Sequence, residues 1–286
     1  MMRLHLNNMR QGPGSDDATN LALNMAGIDR SQFYRVADIG CGTGAQTIAL
    51  AASLKGEIVA VDLFEEFLAK LEKSCSGRAL SASVSTVVAS MDDLPFEREE
   101  FDIVWSEGAV YNMGFRKGVN YWKDFIKDGG ILAVTELSWI TEKRPDELAD
   151  FWNAEYAEMD TVSGKIRILE EAGYMVLGHF ILQDNCWLDN YYCPLVESHK
   201  DFLSRYGEYD LARRIVETDM QELEFYKKYK NYYGYVFLYS SEIEAIIGYK
   251  TKKDCISQSF YTFLCTLLCL VLNLLSRILI NGFFVL

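Results

Sequence analysis

The amino-acid sequence predicts an α/β fold. It comprises a mostly parallel sheet of seven strands with helices on both faces, and a helical cap inserted before an antiparallel last strand. Three observations predict it. Short β-branched runs alternate with helical patterns from Tyr34 to Thr135, the spacing of βαβ units and so of parallel strands. A glycine-rich turn follows the first strand, and an acid closes the second. Near the end of the pattern, an apolar strand follows an aromatic-rich helical stretch, so that it returns to pair with the sixth strand. No internal repeat and no proline- or serine-rich linker interrupts this run, which therefore reads as one domain.

Element by element, Ser15 and Asp16 are placed to cap a helix over Ala18–Ala26, with Gly27 as its stop. Tyr34–Ile39 reads as a buried strand that ends in the glycine turn, and a helix covers Ala45–Leu54. A second strand spans Ile58–Val61, closed by Asp62, and a helix runs over Glu65–Lys73. Val84–Ala89, Phe101–Trp105 and Gly130–Thr135 supply the third, fourth and fifth strands. Helical patterns then cover Asp146–Met159 and Val162–Glu171, the latter stopped by Gly173 before a sixth strand at Met175–Leu182. The insertion, about 183–232, is helical mainly over Tyr191–Lys230, and Tyr233–Tyr239 is the last strand.

Composition removes several classes of function. Of 286 residues, 41 are acidic and 28 basic, a net charge of −13, and half are hydrophobic. That apolar content excludes a disordered chain, and only 4 prolines exclude a collagen-like repeat. The acidic balance argues against nucleic acid as a partner, because phosphate backbones need a basic face. The run Tyr226–Tyr233 interleaves lysines and tyrosines as nucleic-acid binders do, but beside Glu222 and Glu224 it reads as a solvated helix end. Seven cysteines without a C-x-x-C pair, and three scattered histidines, fit neither a disulfide framework nor a zinc site, so no metal is expected. Met1–Gln11 lacks the apolar core of a secretory signal, and a cytoplasmic location is the expectation.

The informative segment is Asp38-Ile39-Gly40-Cys41-Gly42-Thr43-Gly44-Ala45. Glycine admits close approach of backbone to a ligand, and the helix that follows offers free N–H groups to an anion. Asp62, at the end of the second strand, is where a carboxylate accepts both hydroxyls of a ribose. Gly40-x-Gly42-x-x-Ala45 also satisfies the dinucleotide fingerprint, which keeps a nicotinamide-dependent oxidoreductase open. Asp38, however, would repel a pyrophosphate and suits a ligand carrying an ammonium group.

Asp38-x-Gly40-x-Gly42-x-Gly44 resembles motif I of the class I S-adenosylmethionine-dependent methyltransferases, a Rossmann-like fold. Ser90-Met91-Asp92-Asp93-Leu94-Pro95-Phe96 followed by Phe101–Val104 is similar to the adenine-bracketing segment of UbiE-like, small-molecule members. Lys127–Leu132 resembles their turn into the fifth strand, and Arg10–Ser15 a segment that folds over the cofactor. The resemblance implies S-adenosylmethionine as cofactor, a small-molecule acceptor, and cofactor contacts from Gln11, Gly14, Ser15, Asp38, Gly40, Cys41, Gly42, Gly44 and Gln46. It implies further contacts from Asp62, Leu63, Ser90, Met91, Asp92, Ser106 and Glu107. One departure stands out: Ser90 occupies a position where many UbiE-like enzymes have an aspartate for the adenine amino group, so Asp92 or the Ser90 hydroxyl would substitute. A catalytically silent cofactor-binding module is the reading from another class.

Methyl transfer from a sulfonium needs proximity, orientation and a dry site, with a base only when the nucleophile arrives protonated. Glu107 and Tyr111 follow the fourth strand at the sheet edge where ligands of open α/β folds bind, and are the first catalytic candidates. Glu136 ends the fifth strand in the same layer and is either a further candidate or a solvated loop acid. His179 is the third candidate, although a lone histidine in an apolar strand is more often structural. Asn185, Trp187, Asp189, Asn190 and Tyr191 can wall a small-molecule pocket, or the aromatics can pack the cap on the sheet.

The catalytic domain is expected to cover residues 1–241, followed by a linker and apolar tail over 242–286. Cys255–Ser276 contains no charge and is long enough to span a bilayer, with Lys250, Lys252 and Lys253 before it. The tail reads as a membrane anchor, a helix docked on the domain, or an extension foreign to this fold. Its basic residues make the rest of the chain more acidic than the total.

Overall fold

The computed structural model describes residues 2–6 and 8–242. The tail and its membrane-anchor reading lie outside the described residues, among which no helix is long and apolar enough to cross a membrane.

After a short N-terminal helix α1 (Met2–His5), α2 spans Asp16–Met25 and is capped by Ser15, whose side chain accepts from the Ala18 N–H. The alternation then runs β1 (Phe33–Ile39), α3 (Ala45–Ser53), β2 (Lys55–Asp62), α4 (Glu65–Cys75), β3 (Ala82–Val88) and β4 (Phe101–Ser106). It continues through α5 (Phe115–Trp122), β5 (Ile126–Trp139), α6 (Asp146–Glu155), β6 (Asp160–Thr161), α7 (Val162–Glu171) and β7 (Tyr174–Ile181). The cap comprises α8 (Asp184–Trp187), a π turn at Leu188–Tyr192, α9 (Cys193–Tyr206) and α10 (Asp210–Tyr229), and β8 (Tyr233–Glu242) closes the domain.

The strand order is β3-β2-β1-β4-β5-β8-β7, with β6 on β5. All the pairings from β3 to β5 are parallel, and β8 runs antiparallel to both β5 and β7. Among the described residues the sheet holds the seven expected strands and a short eighth. The extra one, β6, is two residues that continue the edge of an unexpectedly long β5 at Ser138 and Trp139. β5 extends well past the expected Gly130–Thr135 because β8 pairs with it from Ile131 to Trp139. The helix from Asp146 ends at Glu155 rather than Met159, since Tyr156 turns into extended backbone and leads toward β6. The cap starts at Asp184, within the expected insertion of about 183–232, but is helical from there rather than from Tyr191, and β8 ends one residue beyond the expected domain boundary.

Two hydrophobic layers follow from strand alternation. On one face Val36, Trp105 and Phe237 pack with Leu23, Leu50 and the cap residues Trp187 and Tyr226. On the other, Ile39, Val104 and Leu238 pack with Phe115, Trp122 and Leu169. Trp187 stacks on Tyr226 at 4.4 Å and on Tyr235 at 5.2 Å, so this aromatic seats the cap on the sheet. The lysines of the basic–aromatic run are solvated: Lys227 pairs with Glu224 and Lys228 with Glu147, while Tyr226 and Tyr229 are buried.

Strand order reverses between β1 and β4, which opens a crevice at their carboxyl ends. The glycine turn leaves β1 at that point.

Candidate functional site

The loop Gly40–Gly44 is tied to the end of β2. The Gly40 and Cys41 N–H groups donate to the Val61 carbonyl at 2.8 and 3.0 Å. Asp62 completes the tie, one carboxylate oxygen accepting from the Gly42 N–H at 2.8 Å and the other from the Phe64 N–H at 3.0 Å. Each oxygen keeps a further lone pair. Burial raises the Asp62 carboxyl, opposed by these N–H groups.

The three glycines do different work. A Cβ on Gly40 would lie 2.4 Å from the Ala109 Cβ, so the loop after β4 sits directly on it. At Gly42 (φ 57°) a Cβ would meet the Gln11 Oε1 at 2.2 Å, a close approach of the N-terminal strap. At Gly44 a Cβ would strike Leu71 Cδ1 at 2.2 Å, which makes this glycine a packing requirement of α3 against α4 rather than a ligand contact.

Asp38 is fully buried beneath the loop. Its carboxylate accepts from the Thr47 hydroxyl at 2.5 Å and, more weakly, from Gln46 Nε2 at 3.4 Å. Burial pushes it up to about 7, with the Glu107 and Asp62 charges adding to the shift. It lines neither cavity described below, so its part is to fix the start of α3 and the Gln46 side chain.

Two adjoining cavities occupy the crevice. The larger, about 420 Å³, runs past Asp62, Leu63, Ser90, Met91, Asp92 and Tyr111. The smaller, about 50 Å³, lies over Cys41 and Gln46 and is flanked by Arg10 and Glu107. Gln11, Gly40 and Gly42 line both. Gln11 is pinned there, accepting from the Thr43 N–H at 2.8 Å and donating to the Asn8 carbonyl at 3.1 Å. The Trp122 indole donates to the Met91 carbonyl at 2.9 Å and so fixes the wall segment after β3. Ser90 donates to Asp92 at 2.6 Å and Lys117 pairs with it at 3.0 Å, and the Ser90 bond first, then Lys117, hold the Asp92 carboxyl below the usual range.

Several expected contacts fall elsewhere. Ser15 caps α2, and the Gly14 N–H donates to the Cys186 carbonyl at 3.3 Å, so this pair joins the strap to the cap. Ser106 is buried and donates to the Ile39 carbonyl at 2.8 Å, tying β4 to β1 without facing either cavity. His179 is exposed on β7, the last strand in the sheet order, because alternation turns it to the solvent face. Its catalytic assignment is not supported.

Glu107 does sit at the smaller cavity, but its carboxylate is committed. Thr19 donates to Oε1 at 2.6 Å, the Trp105 indole at 2.9 Å, and Arg10 pairs with Oε2 at 3.2 Å. Three donors hold it as a fixed anion, which suits recognition of a cation better than proton abstraction. Arg10 escaped the expected set of contacts. Its guanidinium, 8% exposed, reaches both Glu107 and Asp16. Glu136 is fully buried against Lys165 and is not a solvated loop acid.

Residues 36–130 match the family profile of a methyltransferase domain. The chain is similar to malonyl-[acyl-carrier protein] O-methyltransferase of Enterobacter lignolyticus, 32% identical over 46% of this chain and 48% of that one. It is also similar to demethylmenaquinone methyltransferase of Clavibacter sepedonicus, 33% identical over 36% of this chain and 41% of that one. The chain thus matches about half or less of the length of these two enzymes. In fold it is similar to a SAM-dependent methyltransferase from Geobacter sulfurreducens solved with S-adenosyl-L-homocysteine. The TM-score is 0.72 at 14% identity, covering 84% of this chain and 96% of that one.

Proposed function

We propose that this chain, which matches a methyltransferase domain over residues 36–130, is a class I S-adenosylmethionine-dependent methyltransferase that methylates a small-molecule acceptor. The observation that carries the reading is the glycine loop tied to Asp62 at the crevice where strand order reverses. The residues present fit the cofactor. Asp62 has lone pairs left for a ribose diol, and Gly42 leaves the space that a Cβ would fill. Arg10 and Glu107 present a cation and an anion side by side at the smaller cavity, the pattern that a zwitterionic amino-acid end requires.

When bound, the sulfonium supplies an activated methyl group for in-line displacement by the acceptor's nucleophile. The protein's own task is to bind, orient and exclude water. Gln11, lining both cavities, closes the strap over the loop. Met91 and Leu63 give the larger cavity apolar walls. Ser90 and Asp92, bonded to each other, stand where the adenine amino group is expected, with Asp92 the acceptor of the pair. Tyr111 lines the larger cavity from the loop after β4, which supports it as the residue that meets the acceptor.

The test is a transfer assay with labelled S-adenosylmethionine and a cell extract, the labelled product being identified by mass. Label in a metabolite is the expected result. Label only in protein or nucleic acid overturns the small-molecule acceptor, and titration calorimetry that finds NAD but not S-adenosylhomocysteine bound overturns the cofactor assignment.

A further inference from the structure

A buried ion pair stands behind the cavity wall. Glu136, near the carboxyl end of β5, and Lys165, on α7, are both 0% exposed, with Nζ 2.6 Å from Oε1. Lys165 donates also to the Glu158 carbonyl at 2.7 Å, and its ammonium lies 4.8 Å from the Phe115 ring centre and 5.0 Å from that of Tyr156. The Tyr156 hydroxyl donates to the same Glu136 oxygen at 2.5 Å, while Glu136 Oε2 is buried without a hydrogen-bond partner among the described residues. An apolar pair of similar volume would serve stability as well or better, because desolvating two charges offsets most of their attraction. The charges therefore need another explanation, and the neighbouring rings supply one. The Tyr156 ring meets the Tyr111 ring edge-on at 6.3 Å, and Tyr111 lines the larger cavity. The loop that carries Tyr111 is held independently, since the Gly108 N–H donates to the Thr135 hydroxyl at 2.6 Å.

We propose that Glu136, Lys165 and Tyr156 are positioning residues that set the Tyr111 ring as the acceptor-facing wall of the cavity. Glu136 and Lys165 fix the Tyr156 phenol, and the Tyr156 ring backs Tyr111. The chain of contacts starts at a strand end and stops at the cavity without touching the cofactor loop. It determines which acceptors fit, and Glu136, Lys165 and Tyr156 themselves line neither cavity. This inference rests on the methyltransferase reading.

The test uses the full chain with 3-fluorotyrosine at position 111, read by fluorine NMR, which needs no acceptor. Glu136→Gln reaches Tyr111 through the Tyr156 ring and through the loss of its charge, and is expected to shift or broaden the resonance while S-adenosylhomocysteine affinity stays within about twofold. Tyr156→Phe, which keeps that charge, should do the same if the ring contact carries the effect. If Glu136→Gln fails to fold, Tyr156→Phe, which keeps the Glu136–Lys165 pair, is read in its place. Label transfer to the small-molecule fraction of a cell extract is the second readout. Tyr156→Phe and Tyr111→Ala should each lose roughly tenfold or more, toward the about hundredfold that a misplaced reactant can cost. The double variant should lose no more than Tyr111→Ala, as coupled residues do. An unchanged resonance in the folded variant, or multiplicative losses in the double variant, overturns the proposal. If wild type binds no S-adenosylhomocysteine, the methyltransferase reading fails instead, and the fluorine result still decides whether Tyr111 is braced.

Discussion

Replacing Asp62 by alanine should separate its two duties. In the structure each carboxylate oxygen holds one backbone N–H, Gly42 at 2.8 Å and Phe64 at 3.0 Å. Hydrogen bonds to a charged acceptor contribute about 1.5–3 kcal/mol each when buried. Asp62 is only half-buried, so solvent screening lowers the pair to about 1–2 kcal/mol of stability. The remaining lone pairs face the crevice, and losing two ribose hydroxyls there costs about 1–3 kcal/mol, a rise in Kd of roughly 5- to 150-fold. Titration calorimetry with S-adenosylhomocysteine measures the second effect, and urea unfolding of the same sample corrects it for the first. Asp62→Asn, which keeps one acceptor oxygen, should fall between wild type and alanine. Acidification should weaken binding in wild type, because protonation removes acceptor capacity from a carboxyl that burial has already raised. A folded Asp62→Ala protein with affinity within about twofold of wild type would refute the ribose assignment.

Gly44→Ala should lower stability by about 2–4 kcal/mol, through a Cβ forced onto Leu71 and a left-handed backbone, without weakening the cofactor affinity of the folded fraction. A urea midpoint with a parallel titration distinguishes the two. Arg10→Met should weaken S-adenosylhomocysteine about tenfold and leave adenosine binding unchanged, a difference that calorimetry with both ligands reads directly. Burial lifts Asp38 to about 7, above its unfolded range, so native protein holds that proton more tightly. Its contribution is complete below about pH 4 and is lost as pH rises through 7, up to about 4 kcal/mol, so unfolding of cofactor-free protein should show that slope and Asp38→Asn should flatten it.

The glycine loop and Asp62 were legible because their chemistry is local. Turn residues and a strand-end acid announce themselves within one βαβ unit. The partners of Glu107 were not legible, since Arg10 and Thr19 lie 97 and 88 positions away and reach it only across the crevice. His179 misled for a related reason: an apolar strand pattern does not say which face a cap covers, and here the histidine took the uncovered one. β6 carries no periodicity in two residues and exists only because β5 offers it an edge. Glu136 was expected to end the fifth strand, but β5 runs on to Trp139, and the burial of Glu136 depended on a lysine 29 residues on.

The position of β8 also orders the events of folding. It lies between β5 and β7, both of which precede it in the chain. Until Tyr233–Glu242 has left the ribosome, β5 keeps one edge without its partner and β7 has nothing to join. A nascent chain can assemble the parallel half around the glycine loop early, but the sheet closes only with its last strand. Growing chains stalled before Tyr233 should therefore expose a long apolar edge to aggregation and chaperones.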